Sequence, residues 1–192
     1  MLLYHYSVDS YQGGKILIND YAKHYLFAEP FLLALEKGRD VFDATFYSTM
    51  YLSRELCSLK LRKLENYQKD AVEGIFEFVR RQHYLASSVS RLQCVYYCKT
   101  LSEAVQYAMD DCIASGDYQK EQVKILEVEV EDARVYTYDQ TYFNRAMDAI
   151  NNSAVDEVFS LAISYFAKEM TEHPLPEIIS DGKNEILREI TY

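Results

Sequence analysis

The spacing of apolar positions switches between a period of two and a period near 3.6 along this chain, and the switches mark its elements. The opening run Leu2-Leu3-Tyr4-His5-Tyr6-Ser7 is dense in residues that pack on a sheet, carries one imidazole, and is ended by Asp9, Ser10 and Gly13-Gly14. It predicts a short buried strand. Gln12 to Ile18 predicts a short helix turning Ile16 and Leu17 inward. Pro30 suits the first turn of a helix running to Glu36, with Gly38 as its stop. From Thr45 to about Tyr84 the period is helical: Leu56, Leu64, Tyr67, Ala71, Ile75 and Phe78 share one face, and no proline interrupts them. Two or more packed helices are expected there, weakest at Asn66 and Gly74.

Ala86 to Ser90 reads as a small polar linker, and Leu92 to Cys98 as a strand apolar on both faces, as a central strand would be. Leu101 to Ile113 predicts a helix with Thr100 as cap, Glu103 completing a capping box and Gly116 closing it. Val123 to Val130 alternates as a half-buried strand whose solvated face carries Glu127, Glu129 and, beyond it, Glu131. Phe143 to Ile150 and Val155 to Met170 predict helices, the second capped by Ser153 with Asp156 three positions on and ended by Pro174 and Pro176. Two short strands, Glu177-Ile178-Ile179 and Glu185 to Thr191, are expected to pair across an Asp181-Gly182 turn. Strands mixed with blocks of helices predict an α+β domain, single over residues 1–192, with about 40–84 as a helical insertion.

Composition narrows the function classes. A net charge of −10 and a pI near 4.9 disfavour non-specific contact with phosphate backbones. The basic residues Arg54, Lys60, Arg62, Lys63 and Lys69 form the one stretch where a nucleic-acid acceptor could rest, and as a helix face they are equally a solvated surface. Cys57, Cys94, Cys98 and Cys112 form no C-x-x-C pair, and His5, His24, His83 and His173 lack zinc-ligand spacing, so no metal is expected. With neither a secretory signal nor an apolar run of membrane-spanning length, the expectation is a cytoplasmic protein with reduced thiols and no membrane partner.

Three pieces of the chain, in order, resemble the motifs of the histidine–tyrosine–glutamate (poly-ADP-ribose polymerase-like) class of ADP-ribosyltransferases. Leu2 to Ser7 followed by Gly14-Lys15-Ile16-Leu17 is similar to a first-motif strand ending in His-Gly-Ser that leads to a Gly-Ile-Leu helix. Cys94-Val95-Tyr96-Tyr97-Cys98 with Tyr107 resembles a Gly-Ile-Tyr-Phe-Ala strand running into a helix that ends in Ala-x-Tyr. Pro176 to Asp181 with Glu185-Ile186-Leu187 resembles an Asn-Glu-Tyr-hydrophobic strand with a final strand after its turn. Ser90-Arg91 before the second motif is similar to a pair found in poorly characterised bacterial ADP-ribosyltransferase-like proteins, a group that includes toxins of toxin–antitoxin and phage-defence systems. Tyr6, Cys94 and Ala104 stand where the family has glycine, glycine and serine.

The resemblance implies a split antiparallel sheet with a helical insertion, NAD as substrate, and transfer of ADP-ribose to a macromolecular acceptor, protein or nucleic acid. It implies an antitoxin or neutralising protein as a further partner. Breaking the nicotinamide–ribose bond leaves an oxocarbenium-like sugar, which a nearby carboxylate stabilises. Glu177 takes that role by resemblance, and His5 donates to ribose hydroxyls. Tyr96 and Tyr107 flank the nicotinamide, Tyr6 approaches the carboxamide through its backbone, Ser7 bonds the ribose, and Arg91 meets the diphosphate. Two other readings stay open. One is a non-catalytic interaction module that keeps this fold. The other is an RNA 2′-phosphotransferase-like enzyme, which would need several arginines around its phosphate site.

Overall fold

The structure, a computed structural model, describes residues 1–8, 14–16, 22–56, 64–114, 116 and 118–191. It is α+β, and the chain divides into two compact units: residues 1–20, 94–137 and 177–192 form one, and 21–93 with 138–176 the other. The helices expected over 40–84 thus belong to a larger helical unit that draws on three further helices. The short helix expected over Gln12 to Ile18 lies outside the described residues except at 14–16, as do Cys57, Lys60, Arg62 and Lys63 of the sequence reading. None of the described helices is long and apolar enough to cross a membrane.

The strands are β1 (Leu2–Ser7), β2 (Val95–Tyr97), β3 (Lys124–Val130), β4 (Val135–Asp139), β5 (Pro176–Ser180) and β6 (Asn184–Ile190). They form two three-stranded sheets, ordered β1-β3-β6 and β2-β5-β4. β1 runs antiparallel to β3 from Leu2↔Glu129 to Ser7↔Lys124, and β3 antiparallel to β6 with a bulge at Glu127/Val128. The sheets meet through β1 and β2: Tyr4 and Cys98 exchange both backbone hydrogen bonds, at 2.9 and 2.7 Å. Beyond that bridge the two strands belong to different sheets. One helix of the sheet unit, α4 (Leu101–Ala108), continues as a π-helical turn over Met109–Ile113. Its Thr100/Glu103 capping box forms as the sequence predicts, because both partners lie within one turn of each other. Ala104, Ala108 and Cys112 recur every four residues and pack with Cys98, Val123 and Ile125, and Tyr4, Tyr6, Val105 and Tyr107 close over them.

Several sequence expectations change here. Leu92 to Cys98 is not one strand: Arg91–Gln93 is a single 3-10 turn, and β2 begins at Val95. β4 carries no strong alternation, so the sequence does not announce it. β5 and β6 do not pair with each other; the Arg134–Asp181 ion pair and Gly182, where an added Cβ would come within 2.7 Å of the Arg134 Cβ, turn the chain from one sheet to the other. Glu127 is not solvated. It is buried under Arg188, whose Nε lies 2.5 Å from it, and it accepts from the Tyr4 hydroxyl at 3.4 Å.

The helical unit packs α1 (Ala22–Lys37), α2 (Arg39–Leu56), α3 (Leu64–Val79, continued as a π-helical turn over Arg80–Tyr84), α5 (Gln140–Asn151) and α6 (Val155–Phe166) around the buried α3. α1 starts well before Pro30, which sits inside it on an exposed turn, where its missing N–H faces water rather than the core. Gly38, at φ 124°, does end the helix. Gly74 is less a weak point of α3 than its closest packing contact: a Cβ there would meet the Phe31 Cβ at 2.9 Å. α6 ends at Phe166, and Ser153 is not its cap. Ser153 adopts φ 60° in the preceding turn, and Ala154 holds the cap position without a side-chain bond. Asp139 is the strongest local anchor: fully buried, it caps α5 through the Thr141 N–H and also accepts from the Thr171 N–H and hydroxyl and the Leu175 N–H. Burial alone would raise its pKa, but these bonds hold the carboxyl well below the usual range.

Candidate functional site

The place where β1 and β2 part gathers most of the residues singled out by sequence. β1 carries His5, Tyr6 and Ser7; β2 carries Tyr96; β5, beside β2, carries Glu177; and α4 carries Tyr107. Antiparallel geometry fixes which backbone groups face the gap. Tyr4 and Cys98 bond each other, so the peptide groups two residues on, at Tyr6 and Tyr96, also point from their own strand toward the other. His5 reaches into that gap. Its Nδ1 lies 2.8 Å from the Tyr96 carbonyl oxygen.

A carbonyl oxygen only accepts, so Nδ1 carries the proton. The ring is buried, and burial pushes its pKa below the usual imidazole value while the Tyr96 carbonyl pulls the other way. His5 is therefore a neutral Nδ1–H tautomer, and Nε2 is the lone-pair acceptor.

Strand alternation sorts the other side chains. Tyr96 lies opposite Ile179 and Tyr97 opposite Ile178, so Tyr96 and Glu177 share a face of their sheet. Tyr4, Tyr6 and Cys98 take that same face, the one α4 covers. His5 takes the other face with Tyr97, whose ring meets it edge-on at 6.0 Å. The His5 and Tyr6 rings nevertheless lie 6.2 Å apart and within 17° of parallel, so both lean over the edge of β1.

Glu177 is buried, and its charge reaches the Tyr107 hydroxyl. Burial raises the Tyr107 pKa first, and Cys98, Glu103, Asp111 and Glu177 add to it. Burial also pushes the Cys98 thiol up to about 12, so this sulfur is protonated and unreactive at neutral pH. Sequence reasoning missed Asp111, one helical turn past Tyr107. Its Oδ2 accepts from the Tyr6 hydroxyl at 2.6 Å, and burial together with this carboxylate raises the tyrosine pKa strongly. An acid four residues after a motif tyrosine on a helix is the only signal the sequence offers for it.

Arg91 belongs to the helical unit, where its guanidinium contacts Glu73 at 3.1 and 3.2 Å and the Tyr165 hydroxyl at 3.0 Å, and lies 4.0 Å from the Phe143 ring centroid. Its neighbour Ser90 donates to Glu77, which also holds Arg80 and Arg81. Among the described residues no group of histidine, cysteine or acidic side chains could hold a metal ion.

Residues 11–192 match the family described as "Protein of unknown function (DUF2441)", and the chain belongs to that family. The matched span takes in Tyr96, Tyr107 and Glu177 and begins beyond β1 and His5. A comparison with curated proteins finds no match.

Proposed function

We propose that this member of the DUF2441 family is an NAD-dependent ADP-ribosyltransferase with the split-sheet fold of that enzyme class, acting on a protein or nucleic-acid acceptor in the cytoplasm. One observation carries the reading. β1, β2 and β5 come from the start, the middle and the last part of the chain, yet they are consecutive across the split, and they carry His5, Tyr96 and Glu177 in that order. The sequence resemblance requires those three residues at one cleft.

Each group has work suited to its state. Nε2 of neutral His5 accepts from a ribose hydroxyl and so fixes the sugar, where small misplacements are costly. The Tyr6 peptide N–H and C=O, aimed at the gap, match the acceptor and donor of a carboxamide. Tyr96 and Tyr107 offer aromatic faces to an electron-poor ring. In the reaction the bond from ribose carbon to nicotinamide nitrogen breaks, nicotinamide leaves neutral with the electron pair, and an acceptor oxygen or nitrogen bonds the carbon and releases its proton. Glu177, buried and within electrostatic reach of Tyr107, stabilises the positive charge that develops on the sugar. Arg91 has no part in this reading, because its guanidinium is engaged with Glu73 and Tyr165. A toxin or phage-defence role, with a neutralising protein as partner, extends the proposal on the resemblance alone. The test is Glu177→Gln: label transfer from NAD is lost while the far-ultraviolet spectrum and melting are kept, and full activity in that variant overturns the assignment.

The Tyr6–Asp111 bond favours a second reading, a binding module that keeps the fold without turnover. It holds a bulky ring on the α4 face, where the related motif has glycine. Titration with NAD separates the two, since a protein that neither binds nor consumes NAD is no transferase.

A further inference from the structure

At the split, the Tyr6 side chain is tied to an element outside both sheets. Counting two residues along each strand from the Tyr4–Cys98 bridge sets Tyr6 across from Tyr96 on the face that α4 covers. Its hydroxyl then spans to Asp111, 105 positions away in sequence, on the π-helical turn that extends α4. Tyr107 and Asp111 lie four residues apart along that helix and point the same way. The Tyr6 ring thus starts across from Tyr96, reaches Asp111 with its hydroxyl, and packs on the same cluster of side chains as Tyr107. The tether can open: Tyr6 is half-buried, Asp111 is exposed, and the bond lies at the surface.

We infer that the Tyr6 side chain, tethered to Asp111, is a built-in gate on the cleft between β1 and β2, occupying the nicotinamide position until the tether opens. This rests on the NAD reading above and sets its regulation and selectivity. A ligand that binds only the open state has its apparent Kd raised by the inverse of the open fraction. A short hydrogen bond to a carboxylate holds the closed state by roughly one to two orders of magnitude. Any partner that draws Asp111 away, such as a cationic side chain of the acceptor, would open the cleft when the acceptor is in place and spare NAD otherwise.

The experiment is titration of the full chain with NAD for wild type, Tyr6→Phe, Asp111→Ala and Tyr6→Gly, each checked for fold by its melting curve. Tyr6→Phe keeps the ring and cuts only the tether; it and Asp111→Ala are expected to tighten NAD roughly tenfold or more, and Tyr6→Gly at least as much. Equal affinity in wild type, Tyr6→Phe and Asp111→Ala overturns the gate and leaves the NAD site standing. Absence of binding in every variant, Tyr6→Gly included, overturns the NAD reading and the gate with it. If Tyr6→Gly melts far below wild type, the Tyr6→Phe and Asp111→Ala comparison decides alone.

Discussion

At the scale of the residue, Arg91 and His5 carry opposite lessons about buried charge. Arg91 and Glu73 are both buried and hydrogen-bonded to each other, with the guanidinium over the Phe143 ring. Removing one partner of such a pair strands the other charge, at a cost of about 3–5 kcal/mol. Arg91→Ala should therefore lower the midpoint of urea unfolding sharply, and pairing it with Glu73→Met should recover most of the loss. An Arg91→Ala protein that melts like wild type but no longer binds NAD would restore the diphosphate role that the resemblance implied. His5 is instead buried neutral. An unfolded imidazole titrates near about 6.5, and burial sets the folded value lower. Between the two values the unfolded chain binds more protons, so the contribution is complete above about pH 6.5 and falls away as pH drops below it. Unfolding midpoints measured from pH 7.5 down to 5 should show this slope in wild type and a shallower one in His5→Gln, which keeps an N–H for the Tyr96 carbonyl. Equal slopes would mean that His5 is solvated.

At the scale of the element, what the sequence makes legible follows how local the cause is. The Thr100/Glu103 capping box, the stop at Gly38 and the strand over Lys124–Val130 rest on residues within a turn or a pleat of one another, and each forms as read. The misreadings involve long-range causes. Asp181-Gly182 looks like a hairpin turn, but Arg134 captures Asp181 and sends β6 to the other sheet. Asp139 looks like a loop acid, but contacts at Thr171 and Leu175 make it the cap of α5. Gly74 reads as a helix flaw because the helix α1 crossing it lies more than thirty positions away. There Gly74→Ala should destabilise: crowding against Phe31 and the Ala28 and Leu32 backbone costs about 1–3 kcal/mol, more than the ~1 kcal/mol of helix propensity gained. A thermal scan checks it, and a raised midpoint would show that α1 and α3 pack less closely.

At the scale of the whole molecule, the charge is divided unevenly. The sheet unit holds 15 acidic against 7 basic residues and the helical unit 15 against 13, so −8 of the net −10 sits on the unit that carries the proposed cleft. Such a field repels polyanions and attracts basic protein surfaces, which weights the proposed acceptor toward protein. The candidate site was legible only in part. His5, Tyr96, Tyr107 and Glu177 were found through motif resemblance, because no periodicity announces residues that converge from three distant stretches. Asp111 and the true setting of Arg91 needed the fold. The measurement that tests the account most directly is incubation of the wild-type chain and Glu177→Gln with NAD labelled in its adenylate phosphate and a cell lysate. The account predicts label covalently attached to a macromolecule with wild type, release of free nicotinamide in equal amount, and neither with Glu177→Gln. Undiminished NAD and no labelled macromolecule with the folded wild-type protein would contradict it.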